Sequence, residues 1–390
     1  MDNHLKTNHN RKVCITIPCL GIGGTEMQTL SLVKVLRSCG YEVVVVSYFE
    51  HVESMVMEFK NSGADVRMLD MNRKTGFLRF VLRMRNEFHS IRPDVVHVQY
   101  MAPGALPIIA ARLAGVKAVF ATVHQPWTPS HGKFSKLILR TASQLCTRFI
   151  AVSVNAEKSW FGNGRLFNEN NPLKLQPRHF TIYDSVDTER IRNIVSTVNY
   201  VLLKQRLLIP EGIPVIGVVS RLRIEKGIDI LIDAFNQLVN EGTLAHLLIV
   251  GKGPDESKLR AQVSNNVLNS SITFYGEADW ETAMQLMAIM DIVVVPSRFE
   301  GFGLTAAEAM AAGKPVVASD IFGLKEVVIH EETGFLFPVE NTEMLKDLLQ
   351  RLYKERNLRK KLGDKGQKRA ELMFGMDLSR KKISVLYKQI

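Results

Sequence analysis

Short, almost wholly apolar runs alternate with longer amphipathic segments along the whole chain. In the first half the runs fall at residues 13–17, 43–47, 66–69, 95–98, 118–123 and 149–152. In the second half they fall at 215–219, 247–250, 272–275, 292–295 and 315–318. Strands that are apolar on both faces and separated by helices belong to parallel sheets covered on both sides. Two series of such units fit two doubly wound domains better than one oversized sheet. The predicted class is therefore α/β, with two Rossmann-like parallel-sheet domains. The break is expected between Tyr183 and Pro214, where a polar stretch and Ile209-Pro-Glu-Gly precede a new strand. This gives a first domain over 1–190, a linker over 191–213 and a second domain over 214–375. A last helical segment, 376–390, is expected to pack back on the first domain. Residues 163–178 are polar, carry two prolines and read as a loop.

Composition narrows the class. At 390 residues, 46% hydrophobic and 23% charged, the chain has the make-up of an ordinary globular protein with room for two cores. The polar start, through Lys12, has no apolar segment of the kind a secretory signal needs. The longest membrane candidate, 105–123, is interrupted by Arg112 and Lys117. Four cysteines, Cys14, Cys19, Cys39 and Cys146, show no metal spacing and are too few for a disulfide framework. A soluble, cytoplasmic protein is expected. The net charge of +11 favours acidic partners. Seven of the basic residues lie in 67–92, against Asp70 and Glu87. There Phe77, Phe80, Val81, Met84 and Phe88 fall at helical spacing, with Arg79 and Arg83 on another face. That segment is either a surface helix with a solvated basic side or a peripheral contact with anionic lipid at the inner face of the membrane. Nucleic acid is not expected, because no stacking-aromatic or recognition-helix pattern accompanies the charge.

In open parallel sheets ligands sit beyond the carboxyl ends of strands, so the chemistry is sought just after each run. Residues 296–308 read Pro-Ser-Arg-Phe-Glu-Gly-Phe-Gly-Leu-Thr-Ala-Ala-Glu. Gly301 and Gly303 let backbone amides approach a ligand, and a helix starting near Thr305 adds a partial positive field. Of Glu300 in the loop and Glu308 in the first helical turn, one carboxylate can sit near a sugar while the other grips ribose hydroxyls. Thr305-x-x-Glu308 also fits a capping box, which would occupy Glu308 without a ligand. It does not explain Glu300 or the two glycines. Following 215–219, Arg221 offers a planar fork and Lys226 a compact charge, a pair suited to a diphosphate, although basic surface loops are common. Gly251-Lys-Gly253-Pro254 reads as a strand-to-helix turn with Pro254 at the first helical position, able to hold a nucleotide or only to turn the chain.

The first half has its own candidates. Gly21-Ile-Gly23-Gly24-Thr25-Glu26 raises the dinucleotide fingerprint, with Glu50 where a ribose-binding acid would stand. An NAD-dependent oxidoreductase is the rival enzyme, but Glu26 replaces the third glycine. Thr25-x-x-Gln28 again fits a capping box, and the Gly23-Gly24 amides suit phosphate or acceptor. His124, at a strand end, suits a sugar hydroxyl or phosphate, though a lone histidine is commonly structural. No Asp-x-Asp, phosphate-loop or Gly-x-Ser-x-Gly motif occurs, so nucleotide hydrolysis and serine-hydrolase chemistry lack support.

Taken together, Glu300-x7-Glu308 around Gly-Phe-Gly-Leu, Ser220-Arg-Leu-x-x-x-Lys-Gly, Val250-Gly-x-Gly-Pro and the early Gly-Gly-Thr-Glu resemble family 4 of the retaining glycosyltransferases. The likeness is strong from about 214 to 339 and weaker over the first half. It implies the GT-B architecture, two domains facing across a cleft. It implies that Glu308 binds the donor ribose and that Arg221 and Lys226 hold the diphosphate. Glu300 and the backbone of Gly301, Phe302, Gly303 and Leu304 would meet the donor sugar and distal phosphate. Gly24 would approach the phosphates, and His124 would lie beside the transferred sugar. Two departures stand out: Tyr183-Asp-Ser-Val-Asp187 replaces the common Asn-Gly-Val-Asp, and Phe322-Gly323 replaces paired glycines.

The expected reaction moves a sugar from a UDP- or GDP-sugar to a saccharide or lipid-linked saccharide acceptor, as in bacterial surface polysaccharide synthesis. Transfer on one face of the sugar would leave the diphosphate to accept the acceptor's proton, with Arg221 and Lys226 stabilising its charge and no metal or other cofactor required. The competing course is a double displacement with Glu300 as nucleophile. A catalytically inactive GT-B-like binding subunit would need a damaged motif, and these residues are all present.

Overall fold

The computed structural model describes residues 11–100, 104–132, 134–264 and 270–389. The chain divides into two compact units, one of residues 1–185 with 377–390, the other of 186–376.

The first unit is built on β1 (Lys12–Ile17), β2 (Glu42–Ser47), β3 (Asp65–Met68), β4 (Val95–Tyr100), β5 (Ala118–Val123), β6 (Arg148–Ala151) and β7 (His179–Thr181). They form one sheet in the order β3-β2-β1-β4-β5-β6-β7, every pair parallel. Successive residues of a strand enter opposite cores, which is why the runs are apolar throughout. Val13, Ile15, Val43 and Val45 pack on one side with Leu30 and Leu36 of the helix Gly24–Ser38. Cys14, Val44, Val46 and Val96 pack on the other with Phe80, Met84 and Phe88 of the helix Phe77–Ile91. Burying each such side chain contributes about 1.5–3 kcal/mol.

The second unit repeats the plan with β8 (Val215–Val219), β9 (His246–Val250), β10 (Ile272–Gly276), β11 (Ile292–Val295), β12 (Val316–Ser319) and β13 (Gly334–Phe337), in the order β10-β9-β8-β11-β12-β13. In both sheets the strand order reverses beside the first strand of the unit, between β1 and β4 and between β8 and β11. Those reversals open crevices at the strands' carboxyl ends.

Several details differ from the sequence expectations. Strands β7 and β13 were not foreseen; both are short and lie at sheet edges. Residues 191–213 are not a bare linker, since helices Thr188–Thr197 and Tyr200–Arg206 occupy much of that stretch within the second unit. The last helix, Met376–Lys388, joins the first unit's core through Ile383, Leu386 and Tyr387; Ile390, foreseen as its end, lies outside the described residues. Phe77 is not on the buried stripe of its helix but 56% exposed. No helix among the described residues is long and apolar enough to cross a membrane.

Candidate active site

The second unit gathers its polar candidates where β8, β9 and β11 end. The turn after β9 presses against the loop after β8. A Cβ on Gly251 would lie 1.9 Å from the Ser220 carbonyl oxygen, and one on Gly253 would lie 2.2 Å from that of Leu222. Ser220 N–H donates to Val250 O and Leu222 N–H to Lys252 O, each at 3.0 Å. This Gly-x-Gly turn therefore buttresses the segment that carries Arg221. Pro254 precedes the helix Glu256–Ser264 by two residues, in a turn, and is not its first helical residue. Arg221 is exposed, and its guanidinium has no hydrogen-bond or ion-pair partner among the described residues.

Lys226 and Glu300 come together from two loops. Lys226 Nζ lies 2.5 Å from Glu300 Oε1, with both side chains 18% exposed. The buried Ser297 donates its hydroxyl to the same oxygen at 3.1 Å. Gly227, at φ +64°, closes on the Pro296 carbonyl, leaving no room for a Cβ. Arg298 ties the same two loops with bonds of 2.7 Å to Asp229 Oδ1, Asp229 Oδ2 and the Ile224 carbonyl, and it also grips Glu340. These partners hold the Arg298 guanidinium above its usual range. Neither Ser297 nor Arg298 stood out in the sequence, because each acts through tertiary partners.

Glu308 lies on the helix Leu304–Ala311, whose N-cap is Gly303. The capping box foreseen at Thr305 is not formed. The N-cap lies two residues earlier, at Gly303 and not Thr305, which carries Glu308 past the positions whose amides need caps. Its carboxylate instead accepts the indole N–H of Trp280 at 2.8 Å. Burial pushes the carboxyl up to about 7, and the indole N–H opposes that rise. Phe302 is buried edge-on against Phe374, fixing the loop between the two glutamates. A Cβ on Gly323 would meet the Gly301 carbonyl oxygen at 2.5 Å, so the glycine kept in Phe322-Gly323 is the one the loop's packing requires.

In the first unit, the helix Gly24–Ser38 starts after Gly23 with no side-chain cap. The capping box expected of Thr25 and Gln28 is therefore also absent. Gln28 instead clamps the Ser185 peptide, accepting its N–H at 3.0 Å and donating to its carbonyl at 2.8 Å. Glu26 is buried against Gly21 and Gly23, and Cys19 Sγ lies 3.7 Å from its carboxylate. Glu50 is not held for a ribose: both its oxygens take Arg73 at 2.6 Å. Asp187, in the divergent Tyr183–Asp187 stretch, caps the helix Thr188–Thr197 of the second unit through the Arg190 N–H.

His124 is buried at the end of β5, with Nε2 2.7 Å from Gln99 Oε1. A carbonyl oxygen only accepts, so Nε2 carries the proton and Nδ1 is the bare acceptor. Burial pushes its pKa down to about 4, so the ring is neutral at pH 7 and can receive a hydroxyl hydrogen. His124 and Gln99 line a cavity with His97, Thr122 and Asp184. The Gln99 amide nitrogen has no hydrogen-bond partner among the described residues, and burial pushes Asp184 up to about 8.

Residues 22–161 match the model of glycosyltransferase family 4, and residues 202–369 that of glycosyl transferases group 1. A D-inositol 3-phosphate glycosyltransferase of Jonesia denitrificans is 34% identical over 373 aligned residues, covering 87% of this chain and 85% of its own. The chain belongs to the family 4-like glycosyltransferases. This glycosyltransferase is also 27% identical over 282 residues to the N-acetyl-alpha-D-glucosaminyl L-malate synthase of Bacillus anthracis, across 70% of this chain and 69% of that one. Its fold matches Anabaena HepE, solved in complex with UDP and glucose, with a TM-score of 0.79 at 21% identity over 98% of this chain and 100% of that one. The GT-B fold and glycosyl transfer thus replace the oxidoreductase reading. The Glu50–Arg73 pair removes the acid on which that reading leaned.

Proposed function

We propose that this glycosyltransferase retains the configuration of the sugar it moves, taking it from a UDP- or GDP-sugar to a saccharide or lipid-linked saccharide in bacterial surface glycoconjugate synthesis. The observation that carries the donor assignment is the Lys226–Glu300 pair, which joins the loops after β8 and β11, with Arg221 on the first of those loops and Glu308 on the helix that follows the second. Arg221 and Lys226 bind the diphosphate. Lys226 has three donors and gives one to Glu300, leaving two for phosphate oxygens. Glu308 takes the ribose hydroxyls, while Glu300 and the backbone from Gly301 to Leu304 take the sugar and distal phosphate. In the first unit, the Gly24 amide is offered to phosphate or acceptor, and His124 accepts a hydrogen from a sugar hydroxyl.

In this mechanism the acceptor oxygen attacks the anomeric carbon on the face the diphosphate leaves. The carbon–phosphate-oxygen bond breaks, and the acceptor's proton passes to the departing diphosphate oxygen. Arg221 and Lys226 stabilise the charge growing there, the task a metal performs elsewhere. Glu300 bound to Lys226 and Ser297 has one oxygen already committed, which favours a positioning role over that of nucleophile. Incubating the protein with a panel of nucleotide sugars, with and without a chelator, and reading the product's anomeric configuration by NMR tests the proposal. An inverted product, or turnover abolished by the chelator, refutes it.

A peripheral contact with anionic lipid is part of the same reading. Helices of a parallel sheet run against the strands, so Phe77–Ile91 and Ser135–Gln144 both begin at the strands' carboxyl ends. Leu78 (67%) and Leu82 are exposed on the first of these helices together with Arg79 and Arg83, and Phe134 (72%), Leu137 and Ile138 are exposed at the start of the second. Exposed apolar groups with cations on the same helix suit an anionic bilayer surface.

A further inference from the structure

We propose that Trp280 is a positioning residue of the donor site, its indole N–H fixing the Glu308 carboxylate for the donor ribose. The inference rests on the assignment of Glu308 to the ribose made above. The Trp280 bond to Glu308 Oε1 is 2.8 Å long, and it is the one side-chain hydrogen bond that carboxyl makes among the described residues.

Trp280 is itself held on two sides. It opens the helix Trp280–Ala288, which Asp279 caps by accepting the Thr282 N–H at 2.7 Å. The Arg190 guanidinium lies 4.8 Å from the ring centroid and pairs with Glu281 at 3.1 Å. A cation over the ring face and a capped helix start hold the indole where its N–H meets the carboxylate.

The chemistry explains why a donor without charge is useful there. A ribose diol presents two hydroxyl donors, which an ionised carboxylate accepts and a protonated one accepts only in part. Burial of the Glu308 carboxyl favours its protonated form, lifting it to about 7. The indole favours the ionised form, and it adds no charge to compete for the diphosphate. It occupies one lone pair of Oε1, which leaves Oε2 and the rest of Oε1 for the diol.

The cations on neighbouring elements are engaged elsewhere. Arg190 turns to the indole and Glu281, Arg369 donates to the Glu326 and Val327 carbonyls, Lys325 pairs with Asp320, and Lys226 pairs with Glu300. Trp280 is the side chain that touches this carboxyl among the described residues.

Binding of UDP and of GDP to the purified protein, measured by calorimetry at about pH 7 and about pH 9, separates the possibilities. In W280F the better-bound nucleotide is expected to lose about tenfold in affinity at pH 7, from one charge-assisted hydrogen bond, and to regain most of it at pH 9. E308Q is expected to bind weakly at both. Wild-type affinity in W280F, or an equal loss at both pH values, overturns the role of Trp280 while E308Q remains weak. Wild-type affinity in E308Q overturns the ribose assignment itself. A second readout needs no Trp280 variant. Of the three tryptophan indole N–H resonances, one is expected to titrate near neutrality in the wild type and to stand still in E308Q. Three stationary signals in the wild type overturn the contact.

Discussion

Lys226 meets Glu300 at 2.5 Å although 74 positions separate them, each on the loop that follows one of the two strands flanking the switch point of the second sheet. The pair divides labour: the ammonium keeps donors for phosphate while the carboxylate is held for the sugar. UDP or GDP, which lack the sugar, should therefore bind K226M about tenfold or more weakly and E300Q nearly as well as wild type. Turnover with the full donor should fall in both, by about a hundredfold or more for K226M. Equal nucleotide affinities across all three proteins would count against this division.

Gly251 tests the buttress beneath Arg221. At φ +134°, and 1.9 Å from a carbonyl oxygen at its would-be Cβ, it leaves no place for a side chain. G251A should cost about 1–3 kcal/mol of stability through backbone strain. Because the Ser220–Leu222 segment must shift, nucleotide affinity should fall as well. A thermal melt and a binding isotherm on the same sample check both, and unchanged values would show the turn to be pliable.

The buried titrating groups give stability an optimum on the acid side of neutrality. His97 is lowered from 6.5 to about 3, and His124 and His246 to about 4. Below about 6.5 the unfolded chain binds protons that the folded histidines refuse, so stability falls with acidification. Asp184 is raised from 3.8 to about 8 and Glu308 from 4.5 to about 7. Their folded forms hold protons the unfolded chain has released, so their contribution is lost as pH rises through 7 and 8. Melting temperature should peak near about pH 6, falling on the acid side and, on the alkaline side, up to about pH 8, where the lowered Lys314 begins to oppose the decline. D184N should flatten the alkaline decline, and an unchanged alkaline limb would exclude Asp184 as its source.

Lipid contact predicts a chemistry-specific result. Sedimentation with phosphatidylglycerol vesicles should be strong at low salt, weak at high salt, and reduced in the L78D/I138D double variant with the melting temperature kept. Equal binding to neutral phosphatidylcholine vesicles would argue against the assigned surface.

Much of the fold was legible because buried parallel strands write themselves as apolar runs. Each of the eleven expected runs overlaps a strand; 66–69, 149–152 and 315–318 slide by one residue, to Asp65–Met68, Arg148–Ala151 and Val316–Ser319, and Val95–Tyr100 runs two residues past its expected end. β7, His179–Thr181, escaped because three residues with a polar first position carry no periodic signal. β13 escaped because Gly334 opens a strand of four. The site was legible in part. Glu300, Glu308, Arg221 and Lys226 belong to motifs, whereas Trp280, Ser297, Arg298 and Gln99 are marked only by what they touch.

The two capping boxes mark the boundary. By itself the sequence determined the class of fold, the strands' carboxyl ends as the place to look, and the residue types gathered there, because hydrophobic periodicity and short motifs are local. It could not decide what each carboxylate does. Glu308 and Gln28 sit at capping spacing, yet both helices begin at another residue, and the partners chosen are Trp280 and the Ser185 peptide. Glu50 stands where a ribose acid would, and Arg73 takes it. Those choices turn on distances between segments far apart in the chain, which only the packed tertiary structure sets.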